Sequence, residues 1–165
     1  MQISDLLSKT ILPFEIDDDK SIKIFSFFLH SAPTIDSKSS AQISDLRLVN
    51  NWEEYISDFP KESYAFLSPN CSIEKYFDKH KLSLETEINR KSKGFVCKKK
   101  NTTETAYECL LRHIRNSIAH NNVYICNAGN RKYILFEDFN NNKKQSSRIL
   151  FSQTDLKKLK EIIMK

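Results

Sequence analysis

The sequence predicts a mainly α-helical domain that ends in a small β-hairpin and a closing helix. Three observations predict it. Apolar residues recur at steps of three and four through several stretches before residue 122. Two later runs, "RKYILFEDF" and "SRILF", are rich in aromatic and branched residues, and the polar tract "NNNKKQS" separates them. The C-terminal "TDLKKLKEIIMK" places Leu156, Leu159, Ile162 and Ile163 on one helical face.

Pro13, the acidic run Asp17 to Asp19, Pro33, Pro60 and Pro69 punctuate the first half. Residues 20–30, "KSIKIFSFFLH", are apolar on nearly every side and fit a short buried helix or a strand. Residues 40–59 space Ile43, Leu46, Val49, Trp52, Tyr55 and Phe59 as an amphipathic helix that stops before Pro60. Residues 71–92 read as another helix with Ser72 at its N-cap. The strongest helix runs over residues 102–121, with Thr103 as N-cap and acids in its first turn. The hairpin follows over residues 131–152 and the closing helix over residues 154–164. The chain of 165 residues shows no internal repeat and no linker, so a single domain over residues 1–165 is expected.

Composition narrows the function. The chain has only two glycines, Gly94 and Gly129, which excludes glycine-rich phosphate loops. Cys71, Cys97, Cys109 and Cys126 show no metal-type spacing, so neither a metal nor another cofactor is expected. The N-terminus lacks the basic and apolar regions of a secretory signal. No apolar run approaches the roughly 20 residues of a membrane span. A cytoplasmic protein with reduced thiols, without a membrane partner, is the expectation.

The net charge is +5, a modest value, but its distribution is uneven. The stretch "NRKSKGFVCKKK", residues 89–100, holds six Lys or Arg among twelve residues and no acid. It reads as a solvated loop or as an arm that contacts phosphate through Lys98, Lys99 and Lys100.

The chemistry concentrates in "RHIRNSIAHNN", residues 112–122. On a helical wheel Tyr107, Leu111, Ile114 and Ile118 gather within about 60° and form the core-facing stripe. Arg112, His113, Asn116 and His120 fall on the other side. Arg115 lies about 140° from His120, with small Ala119 between them. Arg115 offers a planar cationic fork suited to phosphate. His120 can exchange a proton near neutral pH. Asn116 can orient the histidine or a ligand oxygen. Arg112 and His113 are candidates for further phosphate contacts. Cleavage of an RNA backbone needs a base for the 2′-hydroxyl, an acid for the leaving oxygen and a cation for the added charge. His30 and His80 read as structural or exposed, Trp52 as core, and Tyr124 and Tyr133 as packing beneath the hairpin.

"RNSIAH" resembles the Arg-x4-His signature of the HEPN superfamily, with Arg115, Asn116 and His120 at its positions. The wider "LLRHIRNSIAHNNVY" also resembles a prokaryotic HEPN family of plasmids and defence islands. There the motif helix precedes a hairpin with an "LFED"-like strand and a terminal helix; Leu135 to Asp138 and the closing helix follow that order. The resemblance covers about the last 65 residues. It implies a HEPN-like helical bundle, a homodimer whose motif helices meet, and metal-independent endoribonuclease activity catalysed by Arg115, Asn116 and His120. RNA, a second copy of the chain and an antitoxin or defence-system protein are the implied partners. Other members only bind nucleotides or mediate assembly, which is the alternative reading. A sequence-specific DNA binder is disfavoured, because no helix-turn-helix with a tight glycine turn is present.

Overall fold

Among the described residues, five strands form one mixed sheet. They are β1 (Tyr64–Leu67), β2 (Gly94–Lys98), β3 (Val123–Ala128), β4 (Arg131–Phe139) and β5 (Gln145–Ser152), in the spatial order β1-β2-β5-β4-β3. β1 and β2 run parallel and the other neighbours antiparallel. The computed structural model describes residues 1–8, 16, 18–32 and 46–164, with residues 46–48 as backbone alone. Its α-helices are α1 (Ile3–Leu7), α2 (Asp19–His30), α3 (Leu46–Ser57), α4 (Glu74–Lys79), α5 (Ala106–Ala119) and α6 (Gln153–Met164).

The fold is therefore mixed α/β, not a mainly helical bundle with a small hairpin. The expected hairpin forms as β4 and β5, but these are two strands of five. β2 escapes a sequence reading because its buried "GFVC" core sits inside the lysine-rich tract. A strand covered on both faces shows a short apolar run, not an alternation. β1 has only four residues. β3 starts just past the strongest helix.

Side chains alternate across the sheet. Phe95, Cys97, Ile134, Phe136, Ile149 and Phe151 enter one core with α2, α3, α5 and α6. Val96, Tyr133, Leu135 and Leu150 enter a second core with α1, α4, Leu82 and Ile88. A buried ion pair, Glu137 with Arg148, bridges β4 and β5 across from one another. The Arg148 guanidinium also lies 4.2 Å from the centre of the Phe77 ring.

Local signals explain most element limits. Residues 20–30 resolve as helix because Asp18 caps α2, accepting from the Lys20 amide at 3.0 Å. α3 buries Trp52 and Tyr55 as expected, while Ile43 lies outside the described residues. Residues 71–92 are not one helix. Only Glu74–Lys79 is helical, with Ile73 at its N-cap; Ser72 instead donates to the Glu74 carboxylate. Lys81, at φ 56°, takes a left-handed conformation that stops the helix. Beyond it Leu82 and Ile88 pack as isolated apolar anchors. His80 is buried, its Nδ1 2.8 Å from the Glu62 carbonyl. Tyr133 packs under the sheet and donates to the Asn89 carbonyl at 2.6 Å.

Candidate nucleic-acid site on the motif helix

The N-cap of α5 is Thr105, not Thr103. Thr105 and Glu108 form a reciprocal capping box. Thr103 belongs to a turn before it, in which the Asn101 carboxamide oxygen accepts the Thr103 amide. The expected stripe of Tyr107, Leu111, Ile114 and Ile118 is buried. The buried arc is wider than that stripe, because α5 packs against both the sheet and α2. Leu110, His113 and Ser117 are buried as well.

The end of α5 is a left-handed cap without glycine. Asn121 adopts φ 61°. Its amide bonds the Ile118 carbonyl, and the Asn122 amide bonds the Ser117 carbonyl. Asparagine tolerates this conformation, which explains the "NN" after His120. His120 is thereby the C-cap residue, and it is exposed. Ala119 beside it is exposed too. Arg115 is half-buried, and its Nε donates to the Leu29 carbonyl at 3.2 Å. That carbonyl is in the last turn of α2, where backbone acceptors lack helical partners and a cation is favoured. Asn116 donates to Asp138 Oδ2 at 3.2 Å, which fastens the motif to β4.

His113 is not on the solvent face. It is fully buried, with Nδ1 2.8 Å from Asp138 Oδ2 and Nε2 2.8 Å from the Lys98 carbonyl. Both neighbours are acceptors, so both contacts are hydrogen bonds only when the ring is an imidazolium. Arg112 Nη2 lies 3.4 Å from the same Nε2, and between two donors that contact makes no bond. Burial works against the charge, but the Asp138 carboxylate, and after it the neighbouring Cys109, outweigh burial and raise His113 to about 9.

Arg112 is engaged elsewhere. It meets Glu104 with a fork, Nε to Oε1 at 2.6 Å and Nη2 to Oε2 at 3.0 Å, and it donates to the Lys98 carbonyl at 3.1 Å. Burial pushes Glu104 up, yet the Arg112 fork and the Lys100 amide hold it below the usual carboxylate range. Arg112 and His113 thus stitch the basic tract to α5, which uses groups that the sequence reading offered to RNA. Lys98 and Lys99 are half-buried and Lys100 is exposed. The Lys98 carbonyl meets the helix at His113, two turns before His120, so the tract lies about 10 Å up the helix axis.

The structure therefore brings Arg115, Ala119 and His120 to the end of one helix. It places Asn116 against Asp138 and leaves Lys98, Lys99 and Lys100 two turns away. Sequence reasoning missed Asp138 and Glu104. An acid inside the apolar "YILFEDF" signals a buried partner, so Asp138 could have been found; Glu104 carries no such signal. No helix among the described residues is long and apolar enough to cross a membrane.

A family model described as HEPN pEK499 p136 matches residues 46–164. No curated protein and no solved structure matches the chain. The family match spans α3 to α6 and the whole sheet, with the Arg115-to-His120 motif inside it, and the chain belongs to the HEPN superfamily.

Proposed function

We propose that this HEPN protein is a metal-independent endoribonuclease that works as a homodimer, in the role of a toxin or anti-phage defence effector. The observation that carries the reading is the Arg115-x4-His120 motif at the solvent-facing end of α5, in a chain of a superfamily whose domains are often ribonucleases. His120 takes the proton of a ribose 2′-hydroxyl. The 2′-oxygen bonds to phosphorus as the bond to the 5′-oxygen breaks. A second proton donor, His120 of the other copy, protonates that 5′-oxygen. Arg115 neutralises the charge gathering on the phosphoryl oxygens. Exposed Ala119 lets two motif helices approach closely around a twofold axis. Lys99 and Lys100 extend the RNA path along the helix without choosing sequence.

Purified protein is incubated with labelled RNA in EDTA, beside His120→Ala and a substrate carrying 2′-deoxy at the cut. Cleavage to a 2′,3′-cyclic phosphate is expected, with the variant and the deoxy substrate inert. Full activity of His120→Ala, or cutting of the deoxy substrate, refutes the mechanism. Sedimentation as a monomer at tens of micromolar refutes the dimer.

A second reading is a non-catalytic HEPN module that binds nucleotide or a partner protein. It is favoured by the bonds from Arg115 to Leu29 and from Asn116 to Asp138, which hold both side chains in the fold. RNA or nucleotide bound without cleavage would establish it.

A further inference from the structure

Beside the motif, between α2 and the end of α5, lies a cavity of about 200 Å³. Phe25, Leu29 and Ile118 form its apolar walls. Ser26, His30 and Asn121, all exposed, supply polar groups at its edge. Two links join it to the motif. The Leu29 carbonyl holds Arg115, and Asn121 directly follows His120. The cavity is smaller than the roughly 300–1,000 Å³ that drug-sized ligands fill. Its volume admits one ring system, with polar side chains among its lining.

We propose that this cavity is a nucleobase subsite that receives one unstacked base of single-stranded RNA next to the scissile phosphate. The inference rests on the RNA-cutting reading and names the base-binding part of that site. Single-stranded RNA is recognised through bases splayed from the strand, stacked on side chains and hydrogen-bonded at their edges. Exposed Ile22 and half-buried Leu29 cover the face of the base, and buried Phe25 backs them from the core. The Ser26 hydroxyl, the His30 imidazole and the Asn121 carboxamide meet its edge with both donors and acceptors. With the base seated there, its ribose and phosphate lie toward Arg115 and His120. The base in this position selects where the chain is cut.

The test uses the full chain and two variants at exposed positions. Ser26→Trp fills the cavity. Asn121→Gly keeps the left-handed turn and removes the edge amide. Circular dichroism confirms that both fold. Binding of the four nucleoside 3′-monophosphates and of inorganic phosphate is followed by protein-observed NMR, and cut sites are mapped on a randomised RNA. Nucleotides are expected to bind at least about tenfold tighter than phosphate. Ser26→Trp should abolish that advantage and flatten the base preference at the cut, and Asn121→Gly should shift the preference. The subsite is overturned if phosphate binds as well as the nucleotides, or if Ser26→Trp leaves affinity and cut sites unchanged. RNA cutting with unchanged cut sites removes the subsite and leaves the ribonuclease standing. Nucleotide binding lost in Ser26→Trp, with no RNA cut by the wild type, keeps the subsite and removes the ribonuclease.

Discussion

Asn116 on α5 and Asp138 on β4 are joined by a 3.2 Å hydrogen bond, so the middle of the motif hangs from the C-terminal end of β4. The same Asp138 oxygen receives His113 at 2.8 Å, and the other takes the Phe139 amide at 2.9 Å. One buried carboxylate thereby sets the rotation and height of the last two turns of α5. The residue after Arg115 acts in positioning the helix, and the "LFED" strand after the motif has a physical role as its mount.

Asp138→Ala is expected to destabilise the fold by roughly 3–5 kcal/mol, because it strands the buried imidazolium of His113 without its counter-charge. Guanidinium unfolding measures this as a lower midpoint. A replacement of both His113 and Asp138 by apolar residues should cost less than Asp138→Ala alone. Equal stability of Asp138→Ala and wild type would remove the pair from the account.

Asp18 sets an acid limit on stability. Its carboxylate accepts from Lys132, Ser21, Gln153 and the Lys20 amide, which ties α2 to β4 and α6. The Lys132 bond first, then the Ser21 bond, hold it well below the usual carboxylate range. A depressed folded value gives stability that is present above the unfolded value near 3.9 and is lost as pH falls below it. Asp18→Asn keeps the helix cap, since asparagine caps as well as aspartate, and should lower stability at neutral pH by up to about 1 kcal/mol through loss of the charge facing Lys132. It should also flatten the acid loss seen below about pH 4 in thermal melts.

Gly94→Ala should disrupt the β1–β2 edge. A methyl group there would meet the Ser63 carbonyl, which is backbone and cannot rotate away. The two parallel strands pair from Tyr64 with Phe95 onward, so the clash falls at the start of their register. A loss of about 1–3 kcal/mol is expected, as for overpacking in a core. Hydrogen exchange should show it as faster opening of β1 with β4 unaffected.

The hairpin was legible because β4 and β5 are long and rich in branched residues, and α5 because its period and capping signals agree. β2 was not, since lysines on both sides of "GFVC" outweigh a short buried run. His113 was misplaced for a definite reason. A helical wheel presumes one buried side, and α5 has two, the sheet and α2. The Arg115-x4-His120 spacing points to the family from the sequence alone. The Arg115 bond to Leu29 was not legible, since it joins positions 86 residues apart.

Arg115 has two roles that kinetics and stability can separate. It occupies a helix end of α2 through Leu29, and it is the cation proposed for the phosphate. His120 is exposed at the cap of α5. His120→Ala should therefore leave the melting temperature within a degree or two, while cutting the cleavage rate by about 10²–10⁴. Arg115→Ala should lower both, with a stability loss of about 1 kcal/mol for the bond to the carbonyl. Arg115→Lys restores a positive charge near α2 but not the planar fork, so stability should recover more than the rate. The measurements are thermal melts and single-turnover cleavage in EDTA for all three variants. If Arg115→Lys recovers the full rate, the bidentate role is wrong and a point charge suffices. If His120→Ala cleaves as wild type, the proton is moved by another group, and exposed His30, next to Leu29, is the first to replace.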